Sequence, residues 1–522
     1  MSPAEASASR RSSLKNYAHL ALITLLAFVV MGYHPGLEDD AFYLAAVKRD
    51  LNPALFPHDA SFFRLQFQAT IFDKLIALSI RVTHLPVAWA EFGWQLAAIF
   101  ALLWGCRRIA RRCFSDPAAQ WAAVCLVAAL LTLPVSGTGI NLADQYLHPR
   151  TLATGAILAA VVEVMDRRFW RAGILLAAAF SVHAIMAGFG ISLCAFLWWA
   201  RHTSSRRAPI ESSALLLFAW PLSWMFEPAS DAWREAASTR SFYFLTRWEW
   251  YEWLGIFAPI LLLVFFRWLL ARHAGGTAAL PELPILVSGV IYYGVFQTVA
   301  GLAIMLPPSL ERLRPFEPMR YLHLVYLFFF LFAGGLLGRY VLRRHIYRWL
   351  LLFLPLSGGM YYAQQQMLPA TAHLELPGAA SQNAWLQAFS WIRQNTPVDS
   401  LFALDPHYVE LTGEDYHGFR ALAERSVLAD YVKDGGMAAR VPRLAPRWLR
   451  EVKAQTGWKT FQTSDFERLE QQFGVKWVVL SRDDAVVTNG LVGSALTSIE
   501  ERQPHGFTCP YQNRQVLVCR LY

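Results

Sequence analysis

The sequence predicts a polytopic membrane protein, mainly α, with about eleven transmembrane helices and a small C-terminal α/β extracytoplasmic domain. Three observations carry this. Of 522 residues, 55% are hydrophobic and only 16% are charged, against roughly 25% charged in an average soluble domain. The apolar residues fall in runs such as 20–30, 126–133 and 350–356, with basic clusters at alternate loops. After about residue 380 the runs stop and charged residues become frequent.

The first element is a membrane helix. Arg10, Arg11 and Lys15 precede its apolar run, and Gly32-Tyr33-His34-Pro35 after it makes a poor signal-peptidase site. The run therefore reads as retained, with residues 1–17 a cytoplasmic tail. Further basic clusters sit at 107–112, 167–171, 201–207, 267–272 and 339–348. The positive-inside rule places all of them in the cytoplasm. The spans then lie near 18–33, 88–105, 119–134, 150–165, 172–184, 186–200, 212–226, 253–271, 284–304, 320–338 and 348–363. An odd count leaves the C-terminal domain outside the cytoplasm. The net charge of +9 gathers in short loops and sets orientation, so no nucleic-acid partner is implied. Twenty Trp fit the aromatic belts of a bilayer.

The membrane domain, 18–364, carries a long first outer loop, 34–86. Within it, 65–82 has Asp73 and Lys74 at its middle, which a spanning helix tolerates badly. Phe67, Ile71, Leu75 and Leu78 instead form one helical face, which predicts an amphipathic helix on the outer interface. From 365 to 522 the chain reads as the extracytoplasmic domain: a helix over 384–394, short strands at 400–404, 426–428 and 475–481, and helices at 438–455 and 464–473. Cys509 and Cys519 bracket a hairpin, where a disulfide and two buried thiols are both open readings. Cys106, Cys113, Cys125 and Cys194 have no metal-ligand spacing and read as small packing residues.

Glu38, Asp39 and Asp40 are the first candidates for chemistry. Three carboxylates where a membrane helix emerges repel one another unless a cation or a proton transfer uses them. One would deprotonate an acceptor while another binds a divalent cation. The plain alternative is that Asp39 or Asp40 caps a helix opening at Ala41. The second constellation is Asp144-Gln145-Tyr146-Leu147-His148-Pro149-Arg150, on the same expected side. Asp144 would be a second cation ligand, His148 a metal or phosphate ligand, and Arg150 a bidentate partner for phosphate. An ordinary loop with an interfacial Arg is the alternative. His183 sits at a tight outer turn, as a ligand or as a satisfied structural residue. Arg312, Arg314 and Arg320 place positive charge outside, where a lipid phosphate or snorkelling beside Glu311 and Glu317 would explain it. Trp248–Trp253 is an aromatic belt or a sugar-binding face. No GxxxxGK[ST], GxSxG, HExxH or clustered CxxC appears.

On these residues the chain resembles the GT-C class of polytopic membrane glycosyltransferases. The likeness rests on Glu38-Asp39-Asp40 in a long first outer loop, the amphipathic helix in that loop, Asp144 after the third span and an outer C-terminal domain. The stretch YHPGLEDDAFY, with Asn52-Pro53 and Pro57-His58-Asp59, also looks like a set of uncharacterised bacterial membrane proteins. The resemblance implies transfer of a sugar from a polyprenyl-phosphate donor to an acceptor outside the cytoplasm. It implies Asp39 or Asp40 as catalytic base or metal ligand, Asp144 as acidic partner, Mg²⁺ or Mn²⁺ as cofactor, and Arg320 in a phosphate-binding role by position. The motif WWDYG of oligosaccharyltransferases is absent, which argues against transfer to sequons. A transporter, or a glycan-binding membrane protein without catalysis, is the second reading. It would place charges deep inside spans, and this chain has few.

Overall fold

The computed structural model describes residues 3–203, 229–272, 282–411, 415, 417–484 and 507–521; the span expected at 212–226 and Arg206 and Arg207 lie outside them. The chain is mainly helical and divides into two compact units. The first holds Met1–Tyr33, Gly93–Pro228 and Ser241–Gln364, and the second holds His34–Phe92, Ala229–Arg240 and Gln365–Tyr522.

Among the described residues, six helices are long and apolar enough to cross a membrane: Leu14–Met31, Val87–Cys113, Ala184–His202, Trp250–Arg272, Glu282–Met305 and Pro318–Leu342. The spans expected at 119–134, 150–165 and 172–184 appear as shorter helices, Pro117–Ala129, Pro149–Met165 and Phe169–Val182. The first unit packs by close backbone approach. On the helix Leu322–Leu337 and the turn after it, a Cβ at Gly334 would stand 2.6 Å from the Ala122 carbonyl, and one at Gly338 would stand 2.7 Å from the Ala119 Cα. Ala119, Ala122 and Ala123 supply the matching small face, the contact by which helices associate where no hydrophobic drive separates them from lipid. At the far end, Arg112 forks onto Asp166 at 2.7 and 2.6 Å, and Arg108 reaches Glu163 at 3.0 Å. Part of the basic cluster at 107–112 is thus neutralised by neighbouring helix ends.

In the second unit, a five-stranded sheet runs in the order Ser426–Val427, Leu401–Ala403, Trp477–Ser481, Val516–Leu521, Phe507–Gln512. The first three strands are parallel and the last two antiparallel. Side chains alternate across it. Trp477 and Val479 pack with Phe389 of the helix Ala384–Asn395, while Val478 and Leu480 pack with Phe466 and Leu469 of the helix Thr463–Phe473. Both faces are covered, as parallel strands require. Asn383 caps the first of these helices, accepting from Trp385 N at 2.8 Å. A disulfide joins Cys509 to Cys519 across the terminal hairpin.

The loop after the first helix belongs to this unit. It folds into helices Asp40–Leu51, Arg64–Ala69 and Phe72–Thr83, so the expected 65–82 helix is broken near Thr70 and Ile71. Phe72, Ile76, Ala77 and Ile80 turn inward, and Ile71, Leu78 and Val82 stay exposed. The helix Phe72–Thr83 therefore has two apolar faces, one packed on protein and one open.

Candidate functional site

The carboxylates at 38–40 are positioned by a strained turn. Gly36 sits at φ 81° and Glu38 at φ 49°, the left-handed region that Gly adopts freely and Glu only at a cost. Leu37 pairs with His417 as an antiparallel bridge, and Gly418 N donates to Gly36 O at 2.7 Å. Any Cβ at Gly418 would come within 2.3 Å of the Ala41 Cβ, so only glycine allows the approach.

The three acids separate. Asp40 is 2% exposed, accepts from Gly36 N at 2.6 Å and shares a side-chain hydrogen bond with Glu91. Burial pushes the Asp40 carboxyl up to about 6, against the Gly36 amide and the charge of Lys48. Glu38 and Asp39 stay part-exposed and meet the Lys433 ammonium, Asp39 at 3.7 Å. Burial, and after it the charge of Arg440, pushes Lys433 down to about 7. The capping reading does not hold through the side chains. Asp39 occupies the cap position of the helix Asp40–Leu51 without a side-chain cap bond, and Asp40 reaches back to Gly36. Glu38, Asp430 and Lys433 line a cavity of about 20 Å³, room for about one water. There burial and the charge of Asp434 push Asp430 up to about 8.

Beside this loop, His34 Nδ1 lies 2.7 Å and His417 Nε2 2.9 Å from one oxygen of Glu375. Burial works against the charges here, but the two imidazoles hold the Glu375 carboxyl below its usual range, and Glu375 holds His417 above its own.

In the first unit, the short hairpin Pro134–Val135 with Ile140–Asn141 leads into Asp144. Gly137 (φ 60°) makes its turn, with Trp248 2.4 Å from where a Cβ would stand. Arg150 Nη2 lies 2.6 Å from each oxygen of Asp144. Pro149 fills the first helical position of Pro149–Met165, and His148 caps it by accepting from Arg150 N at 2.9 Å. A cation in a first helical turn opposes the helix dipole, so Arg150 depends on Asp144. The His148 ring lies 3.9 Å from Asp144 and its centroid 6.0 Å from that of His183. Arg320 pairs with Glu317 at 2.6 Å. His323, fully buried, feels the charges of Arg150, Asp144 and Arg320 together. The fold thus gathers Asp144, His148, Arg150 and His183 at the helix ends, while Arg320 is held by Glu317 and the face of Phe242.

Glu38, Asp39 and Asp40 belong to the second unit, and Asp144 to the first. Sequence reasoning missed Glu91, Lys433, Glu375, His417 and His323. None of them falls in a spacing that marks a site, and long-range folding supplies the partners that do.

A domain of unknown function, DUF6798, matches residues 383–436. No curated protein matches the chain. A similar solved structure is the crystal structure of the Archaeoglobus fulgidus oligosaccharyltransferase in complex with Zn and sulfate. It is 12% identical, with a TM-score of 0.44, over 92% of this chain and 69% of that one. A likeness that distant assigns no residue of this chain a role.

Proposed function

We propose that this chain is a membrane glycosyltransferase. It moves a sugar from a polyprenyl-phosphate donor to an acceptor on the extracytoplasmic side of a bacterial inner membrane, within an eleven-span topology. The observation that carries this is the buried cluster of Asp144, His148 and Arg150 beside His183, with Arg320 paired to Glu317 in the same unit. Two guanidiniums and two imidazoles at buried helix ends suit a phosphate that arrives on a lipid chain.

In this reading Arg150 and Arg320 bind the donor phosphate, with His148 and His183 as hydrogen-bond partners. In the second unit, part-exposed Asp39 is the carboxylate suited to take a proton from an acceptor hydroxyl. The acceptor oxygen bonds to the anomeric carbon as its bond to the phosphate oxygen breaks, and polyprenyl phosphate leaves as the anion. Asp40 fits a hard divalent cation: it pairs with Glu91, and two buried carboxyls that share a proton would exchange it for Mg²⁺ or Mn²⁺.

The test is donor binding. Full-length protein in detergent should retain radiolabelled polyprenyl phosphate, and Arg150→Gln and Arg320→Gln should each weaken retention at least tenfold. Equal retention by both variants would remove the cluster from donor recognition.

A further inference from the structure

We propose that His34, Glu375 and His417 bind one divalent transition-metal cation of the Zn²⁺ class, which fastens the loop carrying Glu38–Asp40 to the backbone at His417 and Gly418. One ligand atom from each of the three residues lies within 4.8 Å of the other two. Both imidazole nitrogens already converge on one Glu375 oxygen, at 2.7 and 2.9 Å. Bonds of about 2.0–2.1 Å to a tetrahedral Zn²⁺ require ligand atoms roughly 3.3 Å apart. The two imidazole-to-Glu375 distances would each lengthen by a few tenths of an ångström on seating the ion.

The surroundings suit this donor set. His34 is fully buried and His417 is 2% exposed, so their rings are held in place. The bridge from Leu37 to His417 and the bond from Gly418 N to Gly36 O fix both backbones. His417 Nδ1 lies 3.3 Å from the Asp415 carbonyl, the outer contact that leaves Nε2 for the metal. The Glu375 side chain is 14% exposed, which gives a fourth ligand, water, its way in. Two imidazoles and one carboxylate select a borderline cation over Mg²⁺, which prefers oxygen alone. The ion is therefore distinct in chemistry from any held at Asp40, and its failure would leave the transfer reading standing.

The experiment uses the full-length protein in detergent, stripped with chelator and then given Zn²⁺ or Mg²⁺ alone. After desalting, bound metal is counted by inductively coupled plasma mass spectrometry, and X-ray absorption at the zinc edge counts imidazole ligands. One Zn²⁺ per chain is expected, undisplaced by excess Mg²⁺ and bearing two imidazoles. His34→Gln and His417→Gln should lose it. His407→Gln, at an exposed His paired with Glu410, should keep it. A wild-type protein that retains no Zn²⁺, zinc without two imidazole ligands, or full zinc in both His34→Gln and His417→Gln would overturn the proposal. The absorption measurement needs only the wild type, so a variant that misfolds does not remove the test.

Discussion

Arg420 grips Asp59 across 361 residues of sequence, and both are buried. The same guanidinium forks onto Asp434 at 2.9 and 2.8 Å, and Val427 N adds a bond to Asp59 at 3.1 Å. The Pro57-His58-Asp59 stretch of the first loop is thereby tied to the sheet domain of its own unit. Replacing Arg420 by Ala would strand two buried carboxylates, at roughly 3–5 kcal/mol. Arg420→Ala should lower the melting temperature in detergent and expose the C-terminal domain to protease. Wild-type melting would show that the network contributes little.

Asp40 gives a pH dependence with a defined sign. Its folded carboxyl titrates near 6 against 3.8 for the ordinary group. The folded protein therefore holds an extra proton between those values, and stability falls as pH rises through 4 to 6. The full shift corresponds to up to about 3 kcal/mol. Asp40→Asn removes this carboxyl's share of the titration and keeps the shape. Melting curves should show the variant at least as stable as the wild type at pH 7.5, with the gap closing at pH 4. A variant much less stable at pH 7.5 would mean that the Asp40 charge supports the fold.

Asp144 and Arg150 should behave as one unit. Removing either leaves the other buried and charged, whereas removing both removes that penalty. Asp144→Ala and Arg150→Ala should each destabilise by more than about 2 kcal/mol, and the double variant by clearly less than their sum. Additive losses in chemical denaturation would argue that the pair is not coupled.

The Cys509–Cys519 bridge closes a short terminal hairpin. A loop of that size contributes about 2–3 kcal/mol by chain entropy. A Cys509→Ser, Cys519→Ser variant should melt lower under non-reducing conditions. Under reducing conditions it should match the wild type. Identical melting in both would leave the bridge without a stabilising role.

Much of the architecture was readable from composition and period. Long apolar runs gave the long helices of the first unit, and the helix expected over 384–394 is Ala384–Asn395. The acidic turn announced itself because Glu38, Asp39 and Asp40 are adjacent in sequence. Their division of labour did not: Asp40 turns inward to Glu91, and Glu38 and Asp39 turn to Lys433. In sequence, Glu91 is one acid near the start of an apolar helix and Lys433 one base on an amphipathic helix. Ile71, Leu75 and Leu78 were visible as an apolar face, yet the buried face is Phe72, Ile76 and Ile80. A helix apolar on two sides gives no sequence rule for which side the protein covers.

The most direct measurement is single-turnover transfer in proteoliposomes holding the full-length protein, with radiolabelled polyprenyl-phosphate sugars and a cell-envelope extract as acceptor. The wild type should release polyprenyl phosphate in step with labelled product. Asp39→Asn and Asp40→Asn should each lose at least about a hundredfold in rate, the scale of a general base or a metal ligand. Release at the wild-type rate in both variants, or no transfer from any polyprenyl-phosphate sugar, would contradict a carboxylate-driven glycosyl transfer.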